Sequence, residues 1–304
     1  MSWLIITISF YFILAIVFLV DKYLLTSSIP NPKVYTFYVG ALGILVLVFA
    51  PFVGFYIPTI PQIILAFSAG AIYIYALFWF YKSLQLFEAS RVVPAIGGLT
   101  PLFTFALIYL FSRGREILSF LEIIAFIFLI LGSVLINLKK EKLINIKSLK
   151  FSVLTAFLLS LSFVLIKYVY LVQPFWNGFI WRSVGGFLMA ICFFVFFPEI
   201  KKEIFIKRRE KFPKKTAIIF LTNQTAGAGA ALLQNWAIFL VPLAYMPFIN
   251  ALQGVQYVFL LIFAIILSFK LPKILKEEIS REIIFQKVAA ILLIGAGLIL
   301  IALK

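Results

Sequence analysis

Pro94, Gly97, Gly98 and Pro101 fall close together in EASRVVPAIGGLTPLFT (residues 88–104), inside an apolar run long enough to cross a bilayer. On a helix of 3.6 residues per turn the four share one face. Neither proline has an N–H, so Pro101 leaves the carbonyl of Gly97 without its helical donor, and Pro94 does the same to Ser90. Carbonyls released in hydrocarbon are costly unless protein or a wet cavity satisfies them, so this face is expected to point into a helix bundle. The stretch NALQGVQYVF (250–259) aligns with it at an offset of 156, setting Asn250 against Pro94, Gln253 against Gly97, Gly254 against Gly98 and Tyr257 against Pro101. One face thus carries weakened backbone and the other carries side-chain amides. Brought together they would line a polar, deformable cavity able to hold a solute reversibly. Close packing with a kink, a common use of Gly and Pro in spanning helices, is the alternative.

Other polar side chains lie within apolar segments. Asn223 shares a helical face with Gln234, and Gln224 with Asn235, because residues 11 apart return to nearly the same angle. At least one pair is expected to point inward, toward a ligand or into interhelical hydrogen bonds. The AGAGAA segment between them is expected to give close helix packing. Trp79 and Trp236 end two matching segments and join the cavity candidates. Arg182 lies about two turns inside its helix, where it is a cavity residue or snorkels outward. Glu88 and Arg91 can pair at the start of theirs, and Lys167 reads as an anchor. No carboxylate is expected near the middle of a span. That argues against proton-driven export of cations and tilts toward a neutral, zwitterionic or anionic solute.

The elements that must position these residues follow from composition. Of 304 residues 64% are hydrophobic and 12% are charged, a balance that cannot cover the surface of a soluble globule. Apolar runs of 18 or more residues recur along the chain, which reads as an all-α, polytopic membrane protein. The net charge of +16 sits in short loops, so a nucleic-acid partner is excluded. With no histidine and a single Cys192, a metal site, a cofactor and an intrachain disulfide are not expected. The first residues lack a basic n-region and cleavage site, and read as a retained helix.

Ten spans can be drawn, at 2–20, 35–57, 60–82, 88–112, 117–138, 148–170, 175–197, 214–240, 243–269 and 283–303. The two halves match. FLVDKYLL pairs with VLIKYVYL (Lys22 with Lys167), VGALGIL with VGGFLMA, SAGAIYIYALFW with TAGAGAALLQNW (Trp79 with Trp236), and LGSVLINLK with AGLILIALK (Gly132 with Gly297). Each copy holds five spans, an odd number, so the copies enter the membrane in opposite senses. The expected architecture is ten transmembrane helices in two inverted five-helix repeats, 1–146 and 147–304, with a site near the midplane between them. Loops after odd-numbered spans hold 22 of the 27 Lys and Arg residues. That face is expected to be cytoplasmic and both termini outside.

EASRVVPAIGGLTPLFTFALIYLF followed by a charged loop and GSVLINLKK, with its counterpart AYMPFINALQGVQYVFLLIFAIILS and IGAGLILIALK, resembles the EamA-like group of the drug/metabolite transporter superfamily. The resemblance covers essentially the whole chain. It implies a central cavity lined largely by helices one, three, four, six, eight and nine, and alternating access in the cell (inner or plasma) membrane. Family members often carry a Gly-Glu pair after helices four and nine. Here the first half has Gly114-Arg115-Glu116, and the second has LPKILKEEIS with no glycine. The expected partners are a small-molecule solute and the lipid bilayer, and a homodimer is compatible with the sequence. A membrane enzyme would need a cluster of His, Asp or Glu, which is missing. A scaffold or sensor is not excluded by any residue, yet it gives inward polar stripes no purpose.

Overall fold

The computed structural model describes residues 2–27, 31–87, 89–135, 146–205, 214–270 and 281–302. Among these, every regular element is helical. Six helices are long and apolar enough to cross a membrane: Ser2–Leu25, Pro32–Phe52, Ile60–Leu86, Lys147–Val172, Phe175–Phe196 and Thr216–Leu240. The protein is membrane-embedded. Apolar side chains such as Ile5, Phe52 and Leu292 are well exposed on its outside, a surface suited to acyl chains and not to water.

The elements in order are α1 (Ser2–Ser27), α2 (Pro32–Leu42) running into a 3-10 helix (Gly43–Phe52), α3 (Ile60–Leu86), α4 (Ala89–Phe111), α5 (Phe120–Leu135) and α6 (Ile146–Val172). After these come α7 (Phe175–Phe196), the short α8 (Pro198–Phe205), α9 (Lys214–Leu240), a 3-10 turn (Leu243–Tyr245), α10 (Met246–Ala251), α11 (Gln253–Lys270) and α12 (Arg281–Ala302). The α8 helix falls in a stretch the sequence presents as a loop. The expected helix 243–269 is broken instead at Leu252, between α10 and α11. The α4 helix, in contrast, runs unbroken past both prolines.

Local signals explain several ends. Asn31 caps α2 by accepting from the Lys33 N–H at 3.0 Å, with Pro32 at the first position, where its missing donor costs nothing. Glu122 accepts from the Ser119 N–H at 2.6 Å and so holds the start of α5, with Tyr245 donating to its other oxygen. The α4 helix ends in a left-handed turn at Arg113 (φ 56°) and Gly114 (φ 74°), whose N–H bonds back to Tyr109.

In lipid, apolar burial gives helices little reason to associate, so close backbone contact carries the packing. The α3–α7 contact is the tightest. A Cβ on Gly70 would lie 1.8 Å from the Arg182 carbonyl, and one on Gly185 would lie 2.4 Å from that of Phe67. The α5–α12 contact is reciprocal. Gly132 meets Ala290 and Ile294, while Gly297 meets Ala125 and Leu129. Late residues of each helix touch early residues of the other, so the two cross antiparallel. The other principal pairs are α3 with α6, α1 with α9, α4 with α6, and α1 with α11.

Candidate functional site

A cavity of about 660 Å³ opens at the centre of the bundle, walled by α1, α2 with its 3-10 extension, α3, α4, α6, α7, α9, α10 and α11. Part of its room comes from small side chains. Gly43, Gly227, Ala228 and Gly229 all line it, and nothing lies within 4 Å of where a Cβ on Gly229 would sit. The AGAGAA segment therefore makes space on its cavity side, while Ala230 is fully buried and α9 packs along α1. Most of the wall is apolar, with a few polar groups set into it, which is the usual make-up of a small-molecule site.

One polar cluster surrounds Asp21. Tyr35 donates its hydroxyl to Asp21 Oδ1, Asn223 donates to the same oxygen at 2.6 Å, and Gln224 reaches the Tyr35 hydroxyl at 3.4 Å. Tyr81 packs edge-on against Tyr35 at 4.9 Å. A second polar group is Arg182, which is 6% exposed. Its guanidinium lies 4.4 Å from the centre of the Tyr73 ring, and its Nε has no hydrogen-bond partner. Arg182 is thus fully inside the bundle and has not snorkelled outward. The stacking recovers part of the desolvation cost through the ring's negative face.

The broken helix supplies a third set of groups. The Ile249 carbonyl accepts from Tyr11 at 2.9 Å, and that of Ala251 accepts from Ser133 at 3.2 Å. Each lies just before the break, so long-range hydroxyls replace donors that a continuous helix would have supplied. Side-chain hydroxyls also reach carbonyls of α4. Tyr257 donates to the Val93 carbonyl at 3.1 Å, Ser160 to that of Thr100 at 2.8 Å, and Thr100 to that of Ile96 at 2.7 Å. None of these is a carbonyl that Pro94 or Pro101 releases, those of Ser90 and Gly97.

Of the residues singled out in the sequence, Arg182, Gln224, Gln234, Asn250, Gln253 and Tyr257 line the cavity. Asn250 donates to Thr104 at 2.8 Å. Gly97, Gly98, Pro101, Trp79, Asn235 and Trp236 are not among the lining residues. Gly97 backs the Tyr257 ring, and a Cβ there would come within 2.5 Å of the hydroxyl. A Cβ on Gly98 would lie 2.8 Å from the Val134 side chain of α5, so Gly98 serves packing. Pro101 is buried in α4. Trp79 packs on Phe151 at 5.3 Å, and Trp236 packs on Phe175 at 4.4 Å. Asn235 accepts from Tyr170 at 3.1 Å, an interhelical hydrogen bond behind the wall. Pro94 lies on α4, but its ring is outside the described residues, as are Glu88, the side chains of Lys22 and Arg91, and the segment 271–280.

Lys167 is 3% exposed, and its ammonium donates to the carbonyls of Ile238 and Phe239 at 3.0 and 3.1 Å and to that of Val241. It caps the C-terminal end of α9, where a cation is favoured by the helix dipole. It anchors α9, not the membrane surface.

Asp21, Tyr73, Tyr81 and Gln256 line the cavity and were not singled out as a site. Asp21 is the correction that matters. The first span was expected to stop at residue 20, whereas α1 continues to Ser27 and holds Asp21 inside the bundle. The expectation concerned the middle of a span, and Asp21, in the last two turns of α1, adds a carboxylate to the cavity wall without placing one at mid-span. The signal was present in FLVDKYLL, where apolar residues resume beyond the charge.

No protein-family model matches the sequence, and neither does any curated protein. The fold is similar to that of a solved protein described simply as the crystal structure of a protein, with a TM-score of 0.68, 15% identity and coverage of 98% of this chain and 96% of that one. At that identity the likeness is one of fold.

Proposed function

We propose that the chain is a secondary transporter that moves a small metabolite across the cytoplasmic membrane by alternating access, as an EamA-like member of the drug/metabolite transporter superfamily. The observation that carries this reading is the central cavity, ringed by helices from both halves of the chain and lying beside the broken α10–α11 helix. Discontinuous helices at the midplane are a recurrent device for solute sites in transporters.

The inverted repeat is part of the proposal. It assigns ten spans by counting α2 with its 3-10 extension as one and α10 with α11 as one. Its support is the reciprocal α5–α12 contact, in which the aligned Gly132 and Gly297 meet aligned partners on each other's helix. The pairing of α3 with α6 likewise mirrors that of α9 with α1, and α4 with α6 mirrors α11 with α1. The basic face, which includes Lys201 and Lys202 on α8, would be cytoplasmic. A cysteine replacing Lys201 should then react with an impermeant thiol reagent from the inside, and reaction from the outside overturns that orientation.

The direct test is counterflow of a metabolite panel in liposomes reconstituted with the protein. Flux of at least one solute is expected, with a loss of tenfold or more in Gln253→Leu and no change in folding or insertion. Absence of flux for every solute would favour a scaffold, and full activity of the variant would remove Gln253 from the site.

A further inference from the structure

We propose that the cavity is bipolar and takes a charge-separated zwitterion, with an anionic group at Arg182, a cationic group at Asp21 and an apolar body between them. The proposal rests on the transport reading of the same site. Among the described residues, Asp21 and Arg182 are the two charged side chains that line the cavity, and Asp21 is the sole aspartate of the chain.

Among the described residues, neither charge has a counter-charge within ion-pair distance. No carboxylate lies within ion-pair distance of Arg182 among the described residues. The guanidinium rests on a neutral ring with Nε unpaired. A buried cation left this way stays costly until an anion arrives, and the planar fork of arginine suits a carboxylate or phosphate. The hydrogen bonds to Asp21 come from neutral donors, Tyr35 and Asn223, and both reach Oδ1. They orient the carboxylate and leave its charge uncompensated.

The spacing of the two charges sets the ligand class. Arg182 lies on Tyr73, while Asp21 is tied through Tyr35 to Tyr81. These two tyrosines are eight residues apart on α3, which is about 12 Å of helix rise. An α-amino acid carries its ammonium and carboxylate on one carbon and can reach one pole but not both. An ω-amino acid, with methylenes separating its two charges, is the class that reaches both. Between the poles the wall is apolar, with Ile74, Leu77, Phe18 and Phe80 facing the cavity, so methylenes or an aromatic body fit there better than a string of hydroxyls.

Calorimetric titration of the protein in nanodiscs decides this with ω-aminooctanoate, octanoate, octylamine, ω-aminobutyrate and alanine. The expected result is tightest binding of ω-aminooctanoate, at least tenfold tighter than either single-charge analogue, with the two short zwitterions weakest. Arg182→Gln should bring ω-aminooctanoate down to the level of octylamine, and Asp21→Asn down to that of octanoate. Equal binding of octanoate and ω-aminooctanoate by the unmodified protein, or indifference to Asp21→Asn, overturns the proposal. The unmodified protein's preference decides the matter even if a variant fails to fold. No binding of any probe, together with flux of another solute in liposomes, sinks the zwitterion and leaves the transport reading standing. Absence of both binding and flux sinks the two together.

Discussion

The α3–α7 contact and the facing walls of α2 and α9 come from segments that align in the sequence, yet they pack in opposite ways. Gly70 of α3 and Gly227 of α9 are aligned positions. A Cβ on Gly70 would strike the α7 backbone at 1.8 Å, whereas one on Gly227 would find its nearest neighbour, Val17 of α1, at 3.7 Å. The α2 and α9 helices meet near their N-terminal ends, where Phe220 packs on Tyr35 and Tyr38 at 5.8 and 5.9 Å. Beyond that point both line the cavity. A small residue thus permits close approach without compelling it. The partner decides: α7 is regular, while α2 becomes a 3-10 helix over ten residues. Such a run is unusually long, and its faster rise carries side chains out of step with a neighbouring α-helix. In the transport reading, the closed seam and the open one are two settings of one design, and a turnover exchanges them.

The comparison can be broken most sharply at its glycines. Gly70→Ala should destabilise by about 3 kcal/mol or more, because a side chain would have to displace backbone. Gly227→Ala should stay within about 0.5 kcal/mol of the unmodified protein. Thermal unfolding in detergent measures both, and similar losses would remove the distinction between the seams. A smaller effect is expected where the two halves pack alike. Gly132→Ala and Gly297→Ala should each cost about 1–3 kcal/mol and agree within about 0.5 kcal/mol, since each would crowd the partner helix in the same way. Strongly unequal losses would argue against the pseudo-twofold contact.

The smallest effect belongs to the foot of α2, where Lys33 bonds Glu199 of α8 at 2.7 Å, on the surface. The hydrogen bond from Lys33 holds the Glu199 carboxyl below the usual value of 4.5. Its folded-state value is depressed, so its contribution is present above about pH 4.5 and is lost as pH falls through the lower folded value. Exposed pairs of this kind contribute little. Unfolding of the Glu199→Gln variant should therefore match that of the unmodified protein at the acid end, with a slight loss near neutrality. A large loss at neutral pH would show that this tie, more than the glycine contacts, holds α2 in place.

Much of the fold was legible because long apolar runs leave few alternatives to helices. What sequence could not give were partners distant along the chain. Pro94 and Pro101 pointed to a weakened α4, yet that helix runs unbroken from Ala89 to Phe111. The break came at Leu252, between Pro247 and Gly254, where Tyr11 and Ser133 take up the released carbonyls. Asp21 was missed for a different reason. Averaged hydropathy ends a span at its first charge, and here the helix runs on because Tyr35 and Asn223 receive the carboxylate. Arg182, Gln253 and Tyr257 were legible as polar groups too deep in apolar runs to be idle. Asn235 and Trp236 looked equivalent, and only packing separates them from the cavity wall.

The exchange of seams can be measured directly as a distance across the open one. Spin labels at Leu45 of the 3-10 segment and Ala228 of α9, both lining the cavity, would be read by pulsed electron resonance, with the exposed Cys192 replaced by serine. The account predicts two distance populations in nanodiscs, with the shorter one gaining weight when a transported solute is added. A single narrow distance, unchanged by any solute that crosses the membrane, would contradict it.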